Sequence, residues 1–230
     1  MILEKSNVHT CVHCKATFTK EKTFMVHTCE QKRRHLAKDE KHVLIGYQAF
    51  NRFYQITQKF KDNKTNDEFT HSPYYNAFVK FGSFINNISP LYPEKFIDWI
   101  LRSGVKIDYW CRDELYEKYV LELIHTESVE TALERSIKHM TTWAEQNKSQ
   151  WNHYFNYVST GRAMFDIKDG KISPWLVLNA PSGKKMLAQF DDSQLAAISN
   201  IINPTVWVQK FKKQTFDLEL VKSVIKEAKL

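Results

Sequence analysis

Three of the four cysteines lie near the start of the chain, within CVHCKATFTKEKTFMVHTC (residues 11–29). Two residues separate Cys11 from Cys14, a spacing at which one tight turn directs both thiolates to a single cation. Twelve residues separate Cys14 from His27, and thiolate and imidazole are ligands that zinc prefers. The stretch therefore predicts a zinc site. We expect a structural zinc rather than a catalytic one, because protein side chains can fill all four positions.

Two aromatic residues lie where a very small fold around this site would need them. Phe18 follows Cys14 by four positions and Phe24 precedes His27 by three. With the three ligands, they make residues 9–35 resemble the C2H2 zinc-finger family. The resemblance implies a ββα-like finger whose base-reading residues, on the helix before His27, include Lys20 and Lys22. A single finger contacts about three base pairs, which favours binding without sequence specificity.

The fourth ligand is where the sequence departs from this family. The C2H2 pattern places it at positions 31–33, which hold Gln, Lys and Arg. We favour Cys29, two residues after His27. On a continuous helix that step turns a side chain by about 200°, so the helix must end near Thr28. His35 is the alternative and requires a looped-out return. His9 and His13 are further candidates.

The excess positive charge of the chain lies in its first quarter. The formal net charge is +7, and residues 65–230 are neutral with 20 basic and 20 acidic side chains. This distribution predicts a polyanion partner for the N-terminal region, with affinity that falls steeply with salt. The predicted phosphate contacts are Lys20, Lys22, Lys32, Arg33, Arg34, Lys38, Lys41 and Arg52. The basic segment could instead pack against an acidic protein.

The apolar periodicity predicts a mainly α fold, with a small N-terminal ββα-like finger and little other β-structure. The predicted helices cover about residues 43–60, 73–88, 93–103, 112–125, 128–146, 149–161, 191–202, 204–214 and 217–228. Residues 173–183, SPWLVLNAPSG, are the strand-like exception. We divide the chain into the finger (1–36), a basic and aromatic helix with a polar linker (37–72), and an α-helical domain (73–230).

The middle of the chain contains YYNAFVKFGSFINN and FIDWI, two aromatic-rich helical stretches. They are similar to the replicative helicase loaders of T4-like tailed phages, which implies an accessory role in DNA metabolism. The likeness includes no signature motif, so it assigns no residue roles.

The leading interpretation is a non-enzymatic, zinc-containing DNA-binding accessory protein whose helical part docks a protein partner. The alternative is a protein–protein adaptor with a purely structural finger. A third reading is a Mg²⁺-dependent nuclease using Asp108, Asp113 and Glu114, although such carboxylates are also typical of helix starts. The sequence MILEKSNVHT lacks the apolar core of a signal peptide, and no apolar run reaches membrane-spanning length. Together with the spacing of the cysteines, these two features predict a cytoplasmic location without membrane contact.

Overall fold

The computed structural model describes residues 8–59 and 61–230, and within them the fold is mainly α-helical. The chain forms two compact units, an N-terminal unit (residues 1–112) and a C-terminal unit (residues 113–230). The MILEKSN segment and Phe60, the last aromatic residue of the predicted helix 43–60, lie outside the described residues. In the described part of the chain, no helix combines the length and apolarity needed to cross a membrane.

The N-terminal unit begins with a segment of very short elements, residues 8–36, which we call the cysteine module. Its elements are β1 (His9–Thr10), β2 (Thr17–Phe18), α1 (Glu21–Met25) and α2 (Glu30–Leu36). The N-terminal body, residues 41–112, follows. Its elements are α3 (Lys41–Gln58), α4 (Asn66–Thr70), α5 (Tyr75–Ile88), α6 (Pro93–Arg102) and a 3-10 turn (Ile107–Tyr109). The helix predicted over 43–60 is confirmed through residue 58.

Two glycines bring α3 and α5 into backbone contact. A Cβ added at Gly46 would lie 2.7 Å from the carbonyl oxygen of Phe78, and one added at Gly82 would lie 2.8 Å from the backbone nitrogen of Gly46. Only glycine allows such a close approach. Helices α3 and α5, on either side of residues 59–74, pack against each other within the N-terminal unit, which extends to residue 112. The domain boundary that we placed before residue 73 stays a prediction.

Aromatic side chains fill the core of the N-terminal body. Phe50, Phe78 and Phe81 are almost completely buried, and Trp110 packs against Phe78 and Phe81 with ring centroids 5.8 and 5.1 Å apart. Trp110 also donates a hydrogen bond from Nε1 to the carbonyl oxygen of Val105 (2.8 Å). On α3 itself, Phe50 is buried in this core, whereas Tyr47, Phe53 and Tyr54 are half-buried.

The C-terminal unit is built from helices joined by short turns. They are α7 (Asp113–Thr126), α8 (Val129–Asn147), a 3-10 turn (Trp151–His153), α9 (Tyr154–Tyr157), α10 (Thr160–Lys168), α11 (Pro174–Val177), α12 (Pro181–Leu187), α13 (Asp192–Ile198), α14 (Pro204–Lys213) and α15 (Thr215–Ala228). The predicted start of α8 is confirmed, because the Ser128 side chain accepts a hydrogen bond from the backbone N–H of Thr131.

The strand-like reading of residues 173–183 is wrong, since the segment forms α11 and the start of α12. Pro174 and Pro181 each occupy the first turn of a helix, where the missing N–H costs nothing. Ser173 caps α11 by accepting a hydrogen bond from the backbone N–H of Trp175 (3.2 Å). Residues 172–177 are buried on every side, so the apolar run carries no periodicity. The helix predicted over 149–161 is in fact a 3-10 turn and the short helix α9.

A buried carboxylate joins three helices of the C-terminal unit, α8, α9 and α10, and the segment that follows α10. Asp166 on α10 accepts hydrogen bonds at Oδ2 from the Tyr154 hydroxyl (2.8 Å) and from Nε of Arg162 (2.9 Å). Nε2 of His139 on α8 lies 2.9 Å from the same oxygen, and Nζ of Lys171 lies 3.9 Å from Oδ1. Burial alone would raise the pKa of Asp166, but these neighbours together hold it below its ordinary value.

Candidate metal centre

A tight turn between the two strands holds the first two cysteines. The strands pair antiparallel, with His9 opposite Phe18. Cys11 closes the turn by donating its backbone N–H to the carbonyl oxygen of Ala16 (2.8 Å), while Lys15 donates to the carbonyl oxygen of Cys11 (2.9 Å). Lys15 adopts a left-handed conformation (φ 62°) that reverses the chain. The turn brings both thiols to the same side.

His27 and Cys29 reach the site because the chain is not helical between α1 and α2. Helix α1 ends at Met25, and Cys29 is extended (φ −94°, ψ 165°) as the N-cap of α2. From the sequence, we expected Cys29 to reach the site only if the helix ended near Thr28, and the structure has this break. The Cys29 Sγ also accepts a hydrogen bond from the backbone N–H of Lys32 (3.3 Å).

The four side chains Cys11, Cys14, His27 and Cys29 form a cluster that could hold a metal ion. One ligand atom from each lies within 4.8 Å of all the others. The Sγ atoms of Cys11 and Cys29 are 4.0 Å apart, and the Sγ of Cys14 lies 3.3 Å from Nε2 of His27. Within residues 8–59 and 61–230, no other group of three or more potential ligands has this proximity.

The alternative ligands lie outside the cluster. His35 stands against His13, with ring centroids 4.8 Å apart, and His9 stacks on Phe24 at 5.5 Å. Phe18 packs against both Phe24 and His27, at 6.0 and 4.6 Å. Of these rings, that of His35 is exposed and the others are only half-buried. Cys11 is the one buried side chain of residues 8–36, all of which are described. The cysteine module therefore has almost no core of its own.

The turn favours ionisation of one thiol. The backbone N–H groups of Cys14 and His13 lower the pKa of Cys11 to about 6, although burial acts in the opposite direction. At Cys14 the backbone N–H of Ala16 lowers the pKa, but burial and the neighbouring thiols of Cys11 and Cys29 outweigh it and the net shift is upward. Crowded thiols resist joint ionisation unless a cation compensates their charge, which is what a thiolate-bound metal does.

Two of the predicted phosphate contacts have partners inside the N-terminal unit. Arg52 on α3 donates from Nη2 to Oδ2 of Asp98 on α6 (2.7 Å), with a second bond from its Nε. Arg34 on α2 donates from Nη1 to the carbonyl oxygen of Thr70 (2.7 Å) and pairs with Glu30, and its side chain is 12% exposed. Both arginines thus contribute to the fold.

The other cations of the region remain at the surface. Residues 8–41 contain eight Lys and Arg against four acidic residues, and among the described residues only Arg34 of the eight has a carboxylate oxygen within 4.0 Å. The seven are Lys15, Lys20, Lys22, Lys32, Arg33, Lys38 and Lys41. Lys20, Lys22, Arg33 and Lys41 are exposed, whereas Lys32 and Lys38 are half-buried.

Lys15 was not among the cations predicted from the sequence, but it lies close enough to His13 to affect the pKa of that side chain. Burial lowers the pKa of His13, and the nearby charges of His35, Lys32 and Lys15 lower it further. Lys15 therefore adds to the positive field beside the metal cluster. Its position between the second cysteine and the first aromatic residue was the available signal, but the prediction considered only the helix and the segment after it.

The nuclease reading depended on three acidic residues near the unit boundary. Asp113 and Glu114 occupy the first turn of α7, where carboxylates are favoured by the helix dipole. Asp108 lies in the 3-10 turn of the N-terminal body.

Comparison of the chain with protein-family models, with curated proteins and with solved structures finds no match.

Proposed function

We propose that the protein is a zinc-containing, non-enzymatic DNA-binding accessory protein. The cysteine module binds DNA phosphates largely without sequence specificity, and the helical remainder docks a protein partner. The observation that carries the proposal is the set of seven surface cations without carboxylate partners on and beside a four-ligand cluster. Such cations give salt-dependent affinity for any polyanion of regular charge spacing.

The ligand distances support zinc as the ion. Tetrahedral zinc with Zn–S of about 2.3 Å and Zn–N of about 2.0 Å requires ligand atoms about 3.5 Å (sulfur to nitrogen) to 3.8 Å (sulfur to sulfur) apart. The two closest described separations, 3.3 and 4.0 Å, are near this range. Three thiolates and one imidazole complete four-coordinate zinc and leave no position for water, which supports a structural role. When bound, the ion supplies the cross-link that the small aromatic core cannot.

The phosphate-binding surface in this proposal comprises Lys20, Lys22, Lys32, Arg33, Lys38 and Lys41, with Lys15 added. Arg34 and Arg52 are left out because each guanidinium group is already paired with a carboxylate, that of Glu30 or that of Asp98. The accessory role in DNA metabolism, suggested by the likeness to helicase loaders, remains a prediction. The proposed protein contact is supported by Phe216 of α15, in the C-terminal unit, because its large apolar side chain is 92% exposed.

Fluorescence anisotropy with labelled duplex and single-stranded DNA tests the proposal on the full zinc-loaded chain. We expect binding to weaken at least tenfold between about 50 and 200 mM salt. Lys22→Ala/Arg33→Ala removes two exposed cations whose side chains form no hydrogen bond or ion pair within the described part of the chain. This variant should bind more weakly and reduce the slope of log affinity against log salt by about 1.8, since each duplex phosphate contact contributes about 0.9.

The matched control is Lys184→Ala/Lys185→Ala, which removes two exposed charges from α12 in the C-terminal unit. It changes the net charge equally and should leave both affinity and salt slope unchanged. DNA binding that is absent at low salt, or equal losses in both variants, would overturn the proposed surface.

A second candidate function, the protein–protein adaptor, is favoured by apolar exposure on the same module. Val12, Met25, Val26 and Leu36 are 69–78% exposed. Exposed aliphatic side chains grouped on so small a module are typical of a protein contact. The anisotropy experiment separates the two candidates, because an adaptor whose finger only maintains the fold is indifferent to both DNA forms at every salt concentration.

A further inference from the structure

Arg34 connects the cysteine module to the N-terminal body. Its Nη1 donates to the carbonyl oxygen of Thr70, the last residue of α4, at 2.7 Å. Its guanidinium lies 4.4 Å from the centroid of the Tyr75 ring at the start of α5, and Tyr75 is 5% exposed. A cation at the C-terminus of a helix and over an aromatic face is favourable in both contacts.

The helix that carries Arg34 depends on the candidate metal ligand Cys29. Helix α2 is seven residues long, and a helix of this length has no stability of its own in water. Its first turn is capped by the Cys29 Sγ, which accepts the N–H of Lys32. A thiolate fixed by a bound cation is a better-placed and stronger acceptor than a mobile thiol. Loss of the ion therefore weakens the start of α2.

We propose that Cys29, α2 and Arg34 couple metal occupancy to the stability of α4 and the first turn of α5. This inference rests on the zinc half of the proposed function. It involves two states. With metal bound, α2 is ordered and Arg34 caps α4. Without metal, α2 frays and Arg34 leaves Thr70 and Tyr75. By linkage, the free energy that the metal adds to α4 and α5 equals what the docked Arg34 adds to metal binding.

Hydrogen exchange of the full chain, measured by mass spectrometry with zinc and after chelation, tests the coupling. Peptides covering residues 64–80 should exchange at least threefold faster in the metal-free wild type, while peptides from α7 in the C-terminal unit stay unchanged. In Arg34→Met these residues should exchange fast even with zinc and show no response to chelation. Methionine keeps an apolar stem of similar length but removes the cap and the charge.

Arg33→Met is the matched control, because Arg33 is the neighbouring, exposed residue of the same helix and the charge change is identical. It should respond to chelation as the wild type does. Zinc affinity, measured by competition with a chromogenic chelator, should fall about five- to tenfold in Arg34→Met and not in Arg33→Met. Should Arg34→Met fail to fold, Arg34→Lys keeps the charge but cannot contact Glu30 and Thr70 together. It is expected to give intermediate exchange and affinity.

The outcomes distinguish this inference from the proposed function. Wild-type protein that binds no zinc refutes the zinc assignment itself. Zinc that binds while residues 64–80 exchange at the same rate with and without it refutes only the coupling. The coupling is also refuted if Arg34→Met, or Arg34→Lys where Arg34→Met does not fold, responds to chelation as strongly as the wild type.

Discussion

The cysteine module and the C-terminal unit solve the same problem of holding a chain together by different means. In residues 8–36 one side chain, Cys11, is buried, and four potential ligands converge on one point. The C-terminal unit instead buries Tyr154, Trp175 and Trp207 and holds one oxygen of the Asp166 carboxylate by hydrogen bonds from Tyr154 and Arg162. The contrast predicts that the stability of the first region depends on one centre, whereas that of the second is distributed over packing and a buried polar cluster.

The largest expected effect follows removal of the metal or of one ligand. Structural zinc contributes about 10–16 kcal/mol to the folding of finger peptides, far more than the module's few apolar contacts can replace. Chelation or Cys11→Ser should therefore unfold residues 8–36 and leave the C-terminal unit folded. Amide chemical-shift dispersion and metal content measure the two results.

The fourth cysteine gives the control for this prediction. Cys111 lies in the N-terminal body, outside the ligand cluster, and burial raises the pKa of its thiol. Cys111→Ser should keep one zinc per chain and the dispersion of the module. A module that remains folded in Cys11→Ser without metal would contradict the comparison between the two regions.

The next largest effect is the loss of folding stability expected when the buried carboxylate of Asp166, in the C-terminal unit, is replaced. Asp166→Asn removes the charge that Arg162, His139 and Lys171 face, and removing one member of a buried charged group costs about 3–5 kcal/mol. We expect the lower end of this range, because the Arg162 side chain is 57% exposed and can turn to water. Urea unfolding measures the loss, and Asp192→Asn, an exposed carboxylate of α13, should cost under about 0.5 kcal/mol.

The dependence of stability on pH provides a second test of the role of Asp166. The pKa of Asp166 is lower in the folded state than its ordinary value, so its contribution to stability is complete above the unfolded pKa of about 3.9. That contribution is lost as pH falls below about 4 and the carboxyl group is protonated. The charged and titratable groups that face it are His139, Tyr154, Arg162 and Lys171. The wild type should lose more stability than Asp166→Asn over this range, and equal pH profiles would contradict the assignment.

The smallest of these effects concerns the close approach of two helices. Gly82→Ala would place a methyl group against the carbonyl oxygen of His42 and 2.8 Å from the nitrogen of Gly46. Overpacking against backbone should destabilise the N-terminal body by about 2–3 kcal/mol. Gly161→Ala, in α10 with no atom within 4 Å, should be neutral or stabilise by about 0.5 kcal/mol. Thermal unfolding compares them, and equal changes would refute the close-packing argument.

The sequence predicted the parts of the structure whose determinants are local. Cys11, Cys14 and His27 were predicted as ligands from their spacing, whereas Cys29 was favoured over His35 although it departs from the C2H2 pattern. Helices α6 and α8 were predicted to start at Pro93 and Ser128, and the structure agrees. The Asp166 cluster was not predicted, because its partners lie at residues 139, 154, 162 and 171 and share no short pattern. Gly46 and Gly82 were the available signal for the contact between α3 and α5, since glycine within a helix carries a cost that close approach can justify.

The scarcity of buried side chains in the cysteine module also bears on how such a segment can change over evolution. Six positions, the four potential ligands with Phe18 and Phe24, supply the ligand cluster and the aromatic contacts beside it. The other positions between Cys11 and Cys29 are exposed, apart from the half-buried His13. We expect most of them to accept new residues without loss of shape, so the surface of the module can diverge while its scaffold persists.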